Sequence, residues 1–121
     1  MTITLELPFP PTVNNITAVV RGRKITSKRG RQYREDAMKA IKQQYDDEPL
    51  AGRLSVRIEL YPPCNRKRDL DNYSKGALDA ITQSGLWVDD ELIDRLTIQR
   101  CENVSGGRCV VYIEEYDNEV S

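Results

Sequence analysis

Leu54-Ser55-Val56-Arg57-Ile58-Glu59-Leu60 alternates apolar and polar side chains, and Tyr61-Pro62-Pro63 closes the run. Alternation with a period of two marks a strand buried on one face, and proline, which lacks a backbone donor, ends the ladder. A different pattern follows: Arg66-Lys67-Arg68-Asp69-Leu70-Asp71-Asn72, then a helical segment with Leu70, Ala77, Leu78 and Ile81 on one side and Gly85 placed to terminate it. A strand feeding a helix through a charged loop is the kernel of an α/β (α+β) fold.

Upstream, Ile3, Leu5 and Leu7 alternate with Thr2, Thr4 and Glu6, a second half-buried strand stopped by Pro8, Pro10 and Pro11. Pro8 to Asn15 reads as a rigid loop, with Asn14 and Asn15 capping it or touching a ligand. Ile16 to Lys24 is basic and strand-poor, a mobile loop or loose hairpin. Ser27 can cap a helix over about 28–45, with Tyr33, Ala37, Ala40 or Ile41, and Gln44 or Tyr45 along one face; Gly30 weakens its first turn. Pro49 to Gly52 break the chain. After Trp87, read as core, the segment from Glu91 to Gln99 fits a helical turn or a strand equally. Ser105-Gly106-Gly107 is a turn signal expected to join 96–102 to 108–115 as an antiparallel hairpin. The tail from Tyr116 is polar and expected to fray. The sum is a single domain over 1–121, with a small mixed or antiparallel sheet and two main helices.

Composition narrows the chemistry. No apolar run approaches a membrane span and the start lacks a signal-peptide pattern, so a cytoplasmic protein is expected. The chain has no histidine, which excludes a Ser-His-Asp triad and a His-ligated metal. Cys64, Cys101 and Cys109 show no CxxC spacing and are expected as buried thiols. Net charge is −1, yet the charge is segregated: Arg21, Arg23, Lys24, Lys28, Arg29, Arg31 and Arg34 cluster early, and Arg66-Lys67-Arg68 form a second block. Lys28, Arg29 and Arg31 oppose the dipole at a helix start; they are either a solvated basic face or contacts for phosphate.

Asp69 and Asp71 project to the same side of an extended chain, whereas in a helix they would diverge by about 200°. Two close carboxylates repel, and a divalent cation relieves the repulsion while taking phosphate oxygens; Mg²⁺ suits such a site. A calcium loop fails, because its glycine position holds Ser74 and its final glutamate position Ala80. Helix capping by one aspartate remains the plain alternative, as it does for Asp89-Asp90. Lys75 lies four residues from both Asp71 and Asp79, so all three are expected on one helix face, with Lys75 either a simple ion pair or a cation for developing charge. Without histidine, the nucleophile would be a water made acidic by the cation.

These residues resemble the RusA-type endonucleases that resolve Holliday junctions, found in prophages and bacteria. The resemblance rests on Arg66-Lys67-Arg68-Asp69-Leu70-Asp71-Asn72, Lys75, Leu78-Asp79-Ala80 and Gly85-Leu86-Trp87-Val88-Asp89-Asp90. It extends weakly over Leu7-Pro8, Pro10-Pro11, Asn14-Asn15, Tyr33-Arg34 and Gly106-Gly107-Arg108. It implies Asp69, Asp71 and Asp90 as the acidic metal site, with Asp89 set aside, and Lys75 as the catalytic cation. It also implies Mg²⁺, for which Mn²⁺ can substitute, and a homodimer that places paired nicks in four-way DNA during recombination and repair. Arg66, Lys67, Arg68, Arg21, Arg23, Lys24, Lys28 and Arg29 are then expected to hold the DNA backbone. Two other functions fit parts of the pattern: a DNA-binding module without catalysis, and a metal-dependent hydrolase of nucleotides or small phosphoesters, which needs a closed pocket.

Overall fold

A computed structural model describes residues 2–115. The tail from Tyr116, expected to fray, lies outside the described residues. The strands are β1 (Thr2–Leu7), β2 (Thr17–Val20), β3 (Arg23–Thr26), β4 (Leu54–Tyr61), β5 (Ile93–Arg100) and β6 (Arg108–Glu115). The helices are α1 (Val13–Ile16), α2 (Lys28–Gln44) and α3 (Lys75–Ser84), with 3-10 turns at Leu70–Tyr73 and Asp90–Leu92. One mixed sheet has the order β1-β6-β4-β5, and β2-β3 form a separate ribbon.

The core follows the alternation read from the sequence. Leu54, Val56, Ile58 and Leu60 of β4, Leu5 and Leu7 of β1, and Cys109, Val111 and Ile113 of β6 are buried with Tyr33, Ala37 and Ile41 of α2 and Ala77, Ala80 and Ile81 of α3. Trp87 completes this core, its Nε1 donating to Thr82 Oγ1 at 2.7 Å. At the β1 edge, where unpaired backbone groups would otherwise face solvent, the Gln44 amide donates to Glu6 O (2.8 Å) and accepts from Glu6 N (2.7 Å).

The sheet departs from the expected pairing. β5 does not form a hairpin with β6; it runs parallel to β4, and β4 separates the two. The turn residues Ser105-Gly106-Gly107 are present, but β6 returns antiparallel between β1 and β4, where both its edges find partners. α3 is thus the crossover of a β-α-β unit, the connection that parallel strands require. The ambiguous segment 91–99 becomes a short 3-10 turn followed by β5.

One early reading also changes: Asn14 and Asn15 lie in α1 and not in a loop. The segment read as a mobile loop or loose hairpin takes the hairpin form as the β2-β3 ribbon, because Arg21 (φ 52°) and Gly22 (φ 74°) supply the two left-handed residues that a two-residue hairpin turn demands. Left-handed backbone costs a non-glycine residue about 1–2 kcal/mol, so a guanidinium is held at the ribbon tip against strain.

α2 starts as expected, with Ser27 Oγ accepting from Gly30 N at 2.9 Å. Gly30 itself has a packing role that propensity does not reveal: a Cβ there would lie 2.5 Å from Ile16 O. Gly85 ends α3 in the left-handed region (φ 84°), as read. Of the cysteines only Cys109 is buried, and burial pushes its thiol up to about 12; Cys101 is half-buried and Cys64 exposed on the loop after β4.

Candidate metal and nucleic-acid site

Two arginines hold the loop between β4 and α3. Arg68 donates from Nη1 to Cys64 O (2.9 Å) and Arg66 O (3.3 Å), and its guanidinium lies 5.5 Å from the Phe9 ring centroid. Arg100, the last residue of β5, donates to Arg68 O. Gly107 leaves room for this stack, since a Cβ there would meet Phe9 Cβ at 2.8 Å. The residue before Asp69 is therefore held through both its side chain and its carbonyl.

Asp69 is extended (φ −95°, ψ 122°), and the chain then tightens into the 3-10 turn carrying Asp71. Neither aspartate caps a helix: Asp69 makes no side-chain cap bond to that turn, and the N-cap of α3 is Ser74. Both carboxylates are exposed, and among the described residues neither makes a hydrogen bond or an ion pair. Because Asp71 sits in the 3-10 turn, the shared helical face expected for Asp71, Lys75 and Asp79 holds only for the last two. Lys75 Nζ lies 3.3 Å from Asp79 Oδ2, both partly exposed.

The second carboxylate group, on the 3-10 turn at Asp90–Leu92, also packs on α3. Bonds between Leu50 and residues 86–88 pin the chain after Trp87, with Leu50 N donating to Leu86 O (2.8 Å) and Val88 N to Leu50 O (3.0 Å). Beyond the turn, Arg53 donates to Glu91 O (2.9 Å) and to Asp94 Oδ1 (2.9 Å from Nε). Asp89 is the cap, accepting from Glu91 N at 3.3 Å. Its carboxyl is held below the usual range by that backbone bond and by the neighbouring acid of Asp90. Asp90 is pushed the other way: the bond with Asp89, partial burial and the charges of Asp89 and Asp79 raise it, while Lys75 pulls it back. Lys75, Asp79, Asp89 and Asp90 thus form one electrostatic group.

The third part is a basic groove of about 320 Å³ lined by Asn65, Arg66, Lys67, Arg68, Asp69, Arg100 and Asn103, among others. Arg66 and Lys67 are exposed, whereas Arg68 is half-buried and committed to the loop. Arg21, Arg23 and Lys24 stand on the β2-β3 ribbon, and Lys28 and Arg29 open α2; all five are exposed. Cys64 shares the groove, its thiol lowered by the Arg66 backbone N–H and the Arg68 guanidinium.

Among the described residues no three carboxylates or thiols stand together as a ready-made cation cage. The donor set nevertheless suits Mg²⁺, which binds through a few carboxylates and keeps waters and phosphate oxygens for its other positions. Asp69 and Asp71 offer unengaged oxygens, and Asp90 is crowded by like charge that a cation would relieve. Sequence reading missed Arg100 and Asn103, which reach the groove from about 30 residues away in the chain, and counted Arg34 only as part of the basic cluster, whereas it lines a small cavity with Asp79 between α2 and α3. No spacing rule carries such contacts.

The model of the family described as Endodeoxyribonuclease RusA matches residues 8–114. Over 118 residues the chain is 37% identical to the crossover junction endodeoxyribonuclease RusA of Escherichia coli strain K12, spanning 98% of each protein. The protein of that name from Shigella sonnei is matched to the same extent. The one from Enterobacteria phage 82 is 36% identical over 115 residues, 95% of this chain and 96% of the relative.

Proposed function

This chain belongs to the RusA endodeoxyribonuclease family, and we propose that it is a structure-specific DNA endonuclease that resolves four-way junctions by paired nicks. The observation that supports this beyond family membership is the state of Asp69 and Asp71. Both are exposed and neither side chain caps a helix, and Asp69 lines a basic groove, so the pair offers ligand oxygens beside a place for phosphate. That groove is lined by exposed arginine and lysine side chains, which suits a polymer backbone better than a small phosphoester in a closed pocket.

Asp69, Asp71 and Asp90 would hold Mg²⁺ or Mn²⁺, as the family pattern implies. The cation supplies charge neutralisation on the phosphate and acidification of a water. The chain's own residues do the rest. Arg66 and Lys67, with the basic ribbon and the start of α2, hold the backbone in register for in-line attack. Lys75, steadied by Asp79, faces the charge that develops on the leaving oxygen. Asp89 holds the turn that presents Asp90. We read the chain as one domain acting in the cytoplasm as a homodimer, each protomer cutting one strand. Among the described residues no helix is long and apolar enough to cross a membrane.

The test is a cleavage assay on four-way, forked and linear DNA with and without Mg²⁺, alongside sedimentation of the free protein. Mg²⁺-dependent paired nicks in the four-way substrate and twice the monomer mass are expected. Equal cutting of linear DNA, or cutting undiminished by chelator, would remove the reading. Reversing the charge of Arg66 and Lys67 should weaken junction binding and flatten its salt dependence.

A further inference from the structure

The β2-β3 ribbon carries three of the exposed large aliphatic side chains among the described residues: Val19 is 73% accessible, Val20 48% and Ile25 43%. The register pairs Ala18 with Ile25 and Val20 with Arg23, which places Val20 and Ile25 on one face; Val19 pairs with Lys24 on the other. The stretch that carries the ribbon is basic throughout. From Leu7 to Arg34 there is no acidic residue, and Arg21, Arg23 and Lys24 cluster around the turn.

The ribbon is firmly rooted. Ser27 N donates to Ile16 O (2.7 Å), Ser27 Oγ to Asn15 O (2.5 Å), and Arg31 Nη1 to Thr26 O (2.7 Å). Ile16 Cδ1 lies 3.4 Å from where a Cβ on Gly76 would be, so the root packs on the first turn of α3, one residue from Lys75. The projection is continuous with the candidate catalytic side chains.

Aliphatic groups left in water on a narrow ribbon need an occupant that is apolar and negatively charged at once. Stacked duplex DNA presents phosphates but hides its base faces. A branch point presents both, and apolar side chains inserted at a disrupted base step are an established way for proteins to hold DNA. Resting on the function proposed above, we infer that the ribbon is a branch-point wedge. Val19, Val20 and Ile25 seat against unstacked bases at the crossover while Arg21, Arg23 and Lys24 hold the flanking phosphates, and this contact selects branched over linear DNA. The wedge sets substrate choice; the cutting residues lie at its root.

The test compares the wild type with a Val19→Thr/Val20→Thr/Ile25→Thr variant, which keeps β-branched side chains and removes apolar contact. Binding to a four-way junction and to a matched linear duplex is measured without divalent cation, with 2-aminopurine at the branch point as a reporter of unstacking. Unchanged thermal unfolding and sedimentation establish that the variant is folded and assembled as the wild type is. The expected result is at least a tenfold loss of junction-over-duplex preference, duplex affinity within twofold, and loss of the fluorescence rise. A variant that keeps preference and fluorescence overturns the wedge while leaving the nuclease reading intact. A variant whose altered sedimentation accompanies the loss overturns it in favour of a contact between copies. A wild type with no preference for branched DNA overturns the function itself, and the wedge with it.

Discussion

The two halves of the candidate centre are prepared in opposite ways. Asp69 and Asp71 follow a loop held by Arg68 and Arg100, while their own carboxylates engage nothing among the described residues. Asp90 sits among charges, repelled by Asp89 and Asp79 and drawn by Lys75. One half is rigid backbone with idle ligands; the other is electrostatic tension. A cation held as proposed by Asp69, Asp71 and Asp90 would give the first half its partners and release the tension in the second.

The strongest way to break this comparison is Asp71→Asn. It should lower Mg²⁺-dependent cleavage of a synthetic four-way junction by about 10³-fold or more while binding is unchanged or tighter, since a repulsive charge is gone. Unaltered cleavage would reduce the idle half to surface decoration. Lys75→Ala should cost about 10²- to 10³-fold in single-turnover rate with junction affinity preserved. A loss confined to affinity would instead make Lys75 a backbone contact.

A smaller effect sharpens the electrostatic half. Asp90 has a raised carboxyl, so its contribution to folding is present at low pH and lost as pH rises through the folded value; at neutral pH the crowding is a cost. For cation binding the sign is reversed, because protonation competes: activity should fall on acidification at a higher pH than an ordinary aspartate would give. Asp89→Asn removes both contributions of its neighbour, lowers the Asp90 pKa and should move the acid limb of the rate profile to lower pH. An unmoved limb would show that another group controls it.

The smallest effect concerns the root shared by the ribbon and α3. Gly30→Ala places a methyl 2.5 Å from a backbone oxygen and should cost about 1–3 kcal/mol in chemical denaturation. Metal uptake at the Asp69-Asp71 half, followed by calorimetry, should persist, since the strain enters from the Lys75 side.

Much of this was readable from residue order wherever a local rule governs the outcome. Alternation marked β1 and β4, Ser27 marked the start of α2, and Gly85 the end of α3. The Lys75-Asp79 pair is equally local and appears in the structure, whereas Asp71 lies in a 3-10 turn and not in the extended chain in which the Asp69-Asp71 spacing was read. What alternation cannot specify is which strand lies beside which. β5 shows the same apolar pattern whether it pairs with β4 or β6, and Leu96, on its inward side, remains 43% accessible because β5 is an edge strand. Along the sequence Gly30 is only a helix penalty, because its neighbour Ile16 is close only in space. The approach of Asp79 to Asp90, and of Arg100 to the Arg68 carbonyl, depends on the same pairing and was hidden for the same reason.

The placement of β6 between β1 and β4 has a consequence during synthesis. Strand β1 is synthesised well before its partner, Arg108–Glu115, and β4 gains its second neighbour from that same segment. Domains close only after such distant partners meet, and a ribosome adds about 5–20 residues per second, so the nascent chain spends several seconds with an unpaired β1 and no closed sheet. Residues 66–90 emerge before the scaffold that holds Asp69 and Asp90 in register can exist. A partly made chain would carry every candidate cutting residue and still be unable to nick the DNA around it.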